Sequence, residues 1–237
     1  VAERSVSIFY PCYNDWGTMG SMLLLTTQTV KRLGLDADIT VIDDGSGEHT
    51  LDLLEEIRER FPEVRIVRHE KNRGYGGALR SGFASATRDW IFYTDGDAQY
   101  DVRELETLLE HAGPDVDMVQ GYKITRHDPL HRIVIGRIYH WIVKLAFGLR
   151  LRDVDCDFRL MRRAIFDKVS LEHDSGVICA EMMVKIQRAG CRIVEVPVHH
   201  YQRAHGKSQF FNFPRIARVA RNLTGLWVQM VLLRREG

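Results

Sequence analysis

Residues 90–97 read Trp-Ile-Phe-Tyr-Thr-Asp-Gly-Asp, five strand-forming residues that run straight into two carboxylates separated by one glycine. Aromatic and β-branched residues suit a pleated, buried ladder. A run this short, stopped by Asp-Gly turn chemistry, reads as a buried strand. The same grammar occurs twice upstream. Residues 5–10 (Ser-Val-Ser-Ile-Phe-Tyr) end at Pro11 and lead into Cys12-Tyr13-Asn14-Asp15, and residues 38–42 (Asp-Ile-Thr-Val-Ile) lead into Asp43-Asp44-Gly45-Ser46. Helical stretches separate these strands. Residues 19–33 stop at Gly34, residues 50–60 place apolar side chains at 51, 53, 54, 57 and 61, and residues 78–86 follow a glycine-rich turn. A strand over 64–67, a helix over 102–111 and a strand over 117–120 complete the first half. Such alternation with short connections predicts an α/β fold, a largely parallel sheet with helices on both faces. In these sheets ligands gather at the carboxyl ends of strands, near the point where strand order reverses. The three polar clusters fall at such ends.

Past residue 120 the pattern changes. Residues 131–149 read as a helix rich in basic and aromatic side chains, 158–161 as a strand, 177–189 as a helix closed by Gly190, and 192–196 as a strand before Pro197. Residues 214–233 place apolar side chains at 216, 219, 220, 223, 226, 227 and 230, with Arg215, Arg218 and Arg221 off that stripe, an amphipathic helix with a basic rim. The 237 residues show no repeat, low-complexity tract or linker, so they suit one domain over 1–211 with this helix over 212–237 packing on it or on a membrane surface.

Composition narrows the function. With 45% hydrophobic and 27% charged residues the chain is globular rather than disordered, and a net charge of +1 argues against a nucleic-acid partner. The charge is uneven: residues 120–152 hold seven Lys/Arg against Asp128 alone, and residues 197–235 hold seven with no acid. The strongly apolar stretches are too short for a membrane span: residues 222–233 hold twelve uncharged residues, whereas a span needs about 20. Val-Ala-Glu-Arg at the start carries no signal-peptide core, and Cys12, Cys156, Cys179 and Cys191 stand far apart, which suits a reduced, cytoplasmic compartment.

Asp95-Gly96-Asp97 is the sharpest chemical signal. Two carboxylates at the end of an apolar strand are costly unless paired or bound to a cation. Mg²⁺ or Mn²⁺ prefers such oxygens and often completes its shell with substrate phosphates, and Gln99 offers a further oxygen. Asp-Gly also makes an ordinary solvated turn. Asp43 and Asp44 suit the hydroxyls of a ribose or the N–H groups of a base, or simply an Asx turn. The segment Asn72-Arg73-Gly74-Tyr75-Gly76-Gly77-Ala78 matches neither a Walker loop nor GxGxxG, although its glycines permit close backbone approach to a ligand. His199, His200 and His205 lack a zinc spacing.

Taken together, Pro11–Asp15, Val41–Ser46, Asn72–Ala78, Thr94–Tyr100, Asp153–Arg163 and Val196–Ser208 resemble the inverting glycosyltransferases of family 2, most closely the dolichyl-phosphate and polyprenyl-phosphate mannosyltransferases and their glucosyl relatives. The resemblance spans residues 6 to about 211. It implies the GT-A fold, a Rossmann-like mixed, mainly parallel sheet, with a nucleotide-sugar donor, Mg²⁺ or Mn²⁺, and a polyprenyl phosphate acceptor. Pro11, Tyr13, Asn14 and Asp15 match the donor segment Pro-x-Tyr-Asn-Glu, with Asp for the usual Glu. Asp44, supported by Asp43, matches the acid that holds the nucleoside, and Asn72, Gly74 and Asp95 join the donor set. Asp95 and Asp97 match the metal-binding DxD, followed by Gln99. Lys123, Arg126 and Arg132 fall among the basic residues around the phosphates, with Gly136 where Ser is common. Arg203, Gly206 and Ser208 match a late Arg-x-x-Gly-x-Ser motif, with Gln209 for its following Lys. On this resemblance Asp97, Arg132 and Arg203 carry catalysis, and Lys123, Arg126, Arg132, Arg203 and Ser208 hold the acceptor. Asp153, Asp155, Asp157 and Arg159 correspond to a DxTSGFR-like segment in which Asp157 replaces a small residue.

A phosphate monoester is already anionic and needs no base to attack an anomeric carbon, so metal neutralisation and Lys/Arg clamping suffice. Transfer to a glycan hydroxyl, the rival reaction, needs a base such as Asp155, Asp157 or Glu181. A non-catalytic nucleotide-sugar-binding protein is the remaining alternative. Membrane-embedded acceptors imply a peripheral protein at the cytoplasmic membrane face; oligomeric state, donor base and hexose leave no mark in the sequence.

Overall fold

The computed structural model describes residues 5–124, 130–203 and 213–233. The chain runs β1 (Ser5–Cys12), α1 (Trp16–Leu33), β2 (Asp36–Asp43), α2 (Glu48–Arg60), β3 (Val64–Arg68), α3 (Gly74–Ser85), β4 (Trp90–Thr94), α4 (Leu105–His111), β5 (Met118–Lys123), α5 (Leu130–Phe147), β6 (Phe158–Arg162), α6 (Val177–Arg188), β7 (Ile193–Val198) and α7 (Phe213–Trp227), the last continuing as a π-helical turn over Val228–Leu232. Seven strands form one sheet in the order β3-β2-β1-β4-β6-β5-β7. β6 lies antiparallel to both its neighbours, and every other pairing is parallel. The α/β expectation holds. What periodicity does not show is that β6 inserts, reversed, between β4 and β5, because strand order depends on contacts distant in sequence.

Alternate residues of each strand serve opposite faces, as a period of two requires. Phe9, Ile42, Ile91, Tyr93, Met118 and Met161 face α3, α5, α6 and α7, whereas Ile8, Tyr10, Val41, Phe92, Val119 and Leu160 face α1, α2 and α4. α3 lies close on β1 because Gly82 has no Cβ, which would overlap the Phe9 ring.

Strand order reverses between β1 and β4. β2 and β3 lie outward of β1, while β4 begins the other half of the sheet, so the ends of β1 and β4 open a crevice. Several boundaries differ from the sequence reading. α1 begins at Trp16 and α3 at Gly74, so the glycine-rich segment is itself the first turn of a helix. β7 runs through Pro197, which an edge strand tolerates because half its N–H groups have no ladder partner. Leu223 and Leu226 of α7 and Met230 of the π-helical turn that continues it are buried in the core beside α6, and the Trp227 indole N–H donates to the Ala146 carbonyl at 3.0 Å. That stripe is a packing face, with Arg218 and Arg221 left exposed; the side chains of Arg215 and Ile216 lie outside the described residues.

Candidate functional site

Two non-glycine residues with positive φ mark the crevice: Asn14 (φ 60) after β1 and Ala98 (φ 58) after β4. L residues occupy that region at a cost, which surrounding contacts must offset. At Asn14 the contacts are visible. Its N–H donates to Ser46 Oγ at 3.0 Å, and its side-chain oxygen accepts from the Gly47 N–H at 2.9 Å. The turns after β1 and β2 are thus laced together, with the Asp44 N–H donating to the Cys12 carbonyl at 2.9 Å. Asp43 is fully buried; one oxygen accepts the Ser46 N–H at 3.1 Å, and Arg68 approaches the other at 3.6 Å. Asp44 faces His69 Nδ1 at 2.7 Å and accepts the Arg73 N–H at 2.8 Å on the same oxygen. The Asn72 side-chain amide donates to the Asp44 carbonyl at 3.2 Å, which draws the start of α3 against this turn.

At the end of β4 the carboxylates crowd. Asp95 accepts from the Tyr75 hydroxyl at 2.6 Å. Burial, then the neighbouring Asp157 and Asp97, push its carboxyl well above the usual carboxylate range. Asp97 is buried; one oxygen accepts the Gln99 N–H at 3.0 Å and the other accepts from Arg203 Nη2 at 2.6 Å. Burial raises Asp97 as well, against the opposing pull of Arg203. The Arg203 guanidinium also stands 3.8 Å from Asp15. Residue 203 is brought here by Gln99, whose side-chain amide donates to the Tyr201 carbonyl at 3.1 Å and whose backbone carbonyl accepts the Tyr201 N–H at 2.8 Å. Asp15, Asp95, Asp97, Gln99 and Arg203, distant in sequence, therefore meet.

A second group gathers beside β5. Lys123 Nζ donates to the Asp155 carbonyl at 2.7 Å, and its N–H donates to the Asp153 carboxylate at 3.4 Å. Burial is the largest influence and opposes the ammonium, but Asp153, Cys156, Asp155 and Asp157 together outweigh it, and the Lys123 pKa rises. Ligand atoms of His140, Asp153 and Asp155 all lie within 4.8 Å of one another. Burial, then Asp153 and Asp157 against Lys123, push the Asp155 carboxyl up to about 7. Arg126, Gly206, Ser208 and Gln209, with the side chain of Arg132, lie outside the described residues.

Asp157 and Arg159 form a strut. Arg159 is fully buried; it donates to Gln120 Oε1 at 2.9 Å, to the Val154 carbonyl at 2.8 Å and to the Tyr93 hydroxyl, and it pairs with Asp157 at 3.1 Å. Glu181 is also structural. It accepts the Glu172 and His173 N–H groups at 3.0 and 3.1 Å and pairs with Lys185 at 3.0 Å. Burial opposes its charge, but the His173 bonds outweigh that and hold its carboxyl down at about 2. Glu181 thereby anchors the loop on which the glycines of α3 sit. A Cβ on Gly74 (φ 82) would overlap the Asp174 carbonyl oxygen, and one on Gly76 the His173 carbonyl oxygen. The close approach that Gly74 and Gly76 permit is to the protein's own backbone. His199 pairs with Glu104 at 3.2 Å and His200 packs on Tyr100, so neither joins a metal-binding group among the described residues.

Sequence reading missed Tyr75 and His140, and it named Asp157 and Arg159 without their pairing. Tyr75 stands within a quoted motif, but its aim at Asp95 follows from α3 starting four residues earlier than its apolar period suggests.

Residues 7–170 match the sequence profile described as "Glycosyl transferase family 2". The chain is 29% identical over 211 residues to an undecaprenyl-phosphate 4-deoxy-4-formamido-L-arabinose transferase of Enterobacter sp. (strain 638), an alignment covering 88% of this chain and 63% of that protein. It thus spans less than two thirds of that relative's length. Among solved structures it is similar to a glucosyl-3-phosphoglycerate synthase from Mycobacterium tuberculosis in complex with Mn²⁺, uridine-diphosphate and phosphoglyceric acid, with a TM-score of 0.71 at 19% identity over 96% of this chain and 78% of that one. It is likewise similar to a mannosyltransferase from Pyrobaculum calidifontis in complex with GDP-Man and Mn²⁺, with a TM-score of 0.69 at 18% identity over 96% of this chain and 65% of that one.

Proposed function

The chain belongs to glycosyl transferase family 2 and has the GT-A fold, and on that premise we propose that it moves a hexose, mannose or glucose, from GDP or UDP to a polyprenyl phosphate, with inversion. It works as a peripheral protein at the cytoplasmic membrane face, with residues 1–211 as the catalytic body and residues 212–237 as a helix packed on it. The observation that carries the reading is the meeting of Asp15 and Asp97 on Arg203, with Asp95 beside those two carboxylates, at the strand-order reversal. The curated relative, named for an undecaprenyl-phosphate acceptor, supports the lipid phosphate.

The donor set fits a hard divalent cation. Buried carboxylates that repel one another hold protons too tightly, and a dication relieves the repulsion. Asp95 and Asp97, with Gln99 beside them, would hold Mg²⁺ or Mn²⁺, and the bound ion would supply charge neutralisation for the departing diphosphate. Pro11, Tyr13, Asn14, Asp15, Asp43, Asp44 and Asn72 form the wall for the nucleoside, Asp44 being fixed by His69 and Arg73, while Gly74 packs on the protein's own backbone. Arg203 releases Asp97 and turns its fork to phosphate oxygens. Lys123, Arg126, Arg132 and Ser208 receive the acceptor phosphate. One of its oxygens bonds to the anomeric carbon as the bond to the diphosphate breaks, and no proton need be removed.

The rival reaction, transfer to a glycan hydroxyl, has one specific observation in its favour. Asp157 is tied to Arg159 and Glu181 is pinned by the loop, whereas Asp155 protonates near neutral pH, as a general base should. A donor panel of GDP- and UDP-hexoses with Mn²⁺ and a short polyprenyl phosphate tests the proposal, read out as nucleotide release and glycolipid. Glycolipid from one donor is the expected result. Glycan products without glycolipid, or nucleotide release without either, would overturn it.

A further inference from the structure

A chain of three hydrogen-bonded side chains runs from the nucleoside wall into the body of the protein. Asp44 follows β2, His69 follows β3 and Ser81 lies on α3. His69 Nδ1 stands 2.7 Å from Asp44 Oδ1, and its Nε2 stands 2.8 Å from Ser81 Oγ. Asp44 and His69 are both buried, at 2% and 4% exposure. The His69 N–H donates to the Asp43 carbonyl at 2.8 Å, which fixes the root of the ring beside the turn after β2. A carboxylate only accepts, so Nδ1 donates to Asp44 and Nε2 turns to the Ser81 hydroxyl. The transfer described above gives Ser81 no part and His69 none beyond holding Asp44.

This chain decides how much of Asp44 a ligand can use. Each carboxylate oxygen has about two acceptor sites. On Oδ1 both are taken, by His69 Nδ1 and by the Arg73 N–H at 2.8 Å. Oδ2 accepts no hydrogen bond among the described residues, and it is not one of the polar atoms sealed from solvent without a partner. Asp43 offers nothing further, because its Oδ1 accepts the Ser46 N–H and its Oδ2 is enclosed. One oxygen of the pair of acids therefore faces the ligand. Nucleobases differ in what they bring to such an acceptor. Uracil in a nucleotide has a single ring N–H, at N3, between two carbonyls. Guanine has two parallel donors, N1–H and the N2 amino group, which match a carboxylate with both oxygens open. Against Asp44 one guanine donor finds Oδ2 while the other meets the filled Oδ1. A buried donor left without an acceptor is unfavourable, and a site discriminates most strongly on such a mismatch.

We propose that His69 is the positioning residue that sets base choice, holding Asp44 with one open oxygen so that the site takes a uridine rather than a guanosine diphosphate. The assignment rests on the nucleotide-sugar reading and narrows its donor. Calorimetry on the full chain, with Mn²⁺ and no acceptor, reads it. UDP is expected to bind at least about tenfold more tightly than GDP, the scale of one lost hydrogen bond to a charged group. Two analogues separate hydrogen bonding from ring size. N3-methyl-UDP lacks the single donor and should bind at least about tenfold more weakly than UDP. Inosine diphosphate keeps the purine ring and N1–H without the amino group, and should bind more tightly than GDP. His69→Phe keeps a ring but removes the donor and frees a site on Oδ1, which should bring the UDP and GDP affinities within about threefold of each other. His69→Asn retains an N–H near the Nδ1 position and should restore the preference for UDP. A residue that only supported the fold would weaken both nucleotides alike and leave their ratio unchanged. A folded His69→Phe that keeps the wild-type ratio would overturn the proposal. So would N3-methyl-UDP binding like UDP, or inosine diphosphate binding no better than GDP; these arms use the wild-type chain and decide the matter even where His69→Phe does not fold. GDP binding as tightly as UDP, or more tightly, would overturn the base assignment and leave the transferase reading standing, whereas a chain that binds neither nucleotide defeats both.

Discussion

Asp97 accepts the Gln99 N–H on one oxygen and the Arg203 guanidinium on the other, so it is held in place before any cation arrives. Asp97→Ala should abolish transfer while leaving the melting profile near wild type, because Asp95 alone does not hold the dication that neutralises the diphosphate. Near-normal turnover of this variant in chelator-treated buffer would refute the metal assignment. Arg203 makes a subtler prediction. Its guanidinium competes with a cation for Asp97, so Arg203→Ala should bind Mn²⁺ more tightly than wild type by calorimetry. The same variant should transfer roughly 10- to 100-fold more slowly, the equivalent of a charge-assisted hydrogen bond of about 1.5–3 kcal/mol. Weaker Mn²⁺ binding would mean that Arg203 supports the carboxylates rather than competing for them. The carboxylates were legible because Asp-Gly-Asp after an apolar strand is a local pattern. Tyr75 was not, since its hydroxyl meets Asp95 only after α3 packs.

Elements were legible to the extent that local pattern specifies them. β1, β2 and β4 announce themselves by apolar runs that end in polar turns. The reversed placement of β6 does not, because Phe158–Arg162 has the same composition whichever way it runs. The glycine-rich start of α3 was read for ligand approach, yet its clearances are filled by residues 173 and 174. Gly76→Ala should therefore destabilise by about 1–3 kcal/mol in urea, the range for forcing atoms into a packed site. Gly20→Ala is the control, with nothing within 4 Å of the added carbon. In the interior of α1 it should stabilise by about 0.5–1 kcal/mol. Equal effects of the two substitutions would contradict the packing of α3 on that loop. For α7 the sequence offered packing or membrane contact on equal terms, and burial of Leu223, Leu226 and Met230 supplies the packing.

Across the whole molecule, the carboxyl ends of the strands concentrate acids that the fold leaves under mutual repulsion. Asp95, Asp97 and Asp155 all have pKa values raised above an ordinary carboxylate. A raised acid stabilises the folded chain fully below its unfolded value, and that contribution is lost as pH rises through the folded one. For Asp155 the window runs from 3.8 to about 7. Asp155→Asn has no charge to lose, so its melting temperature should match wild type near the acid end of the window and exceed it above pH 7. Thermal melts at several pH values, without divalent cation, read this directly. Curves that stay parallel across the window would show that Asp155 ionises at no cost to the fold. The same variant separates the two reactions. A lipid phosphate brings its own anionic oxygen, so transfer to polyprenyl phosphate should persist in Asp155→Asn. A glycan hydroxyl needs its proton taken, and with Asp155 as base that transfer should fall about 10²–10⁴-fold. A variant that is more stable at neutral pH and still makes glycolipid would place Asp155 outside the reaction, as a charge kept at the site at the expense of the fold.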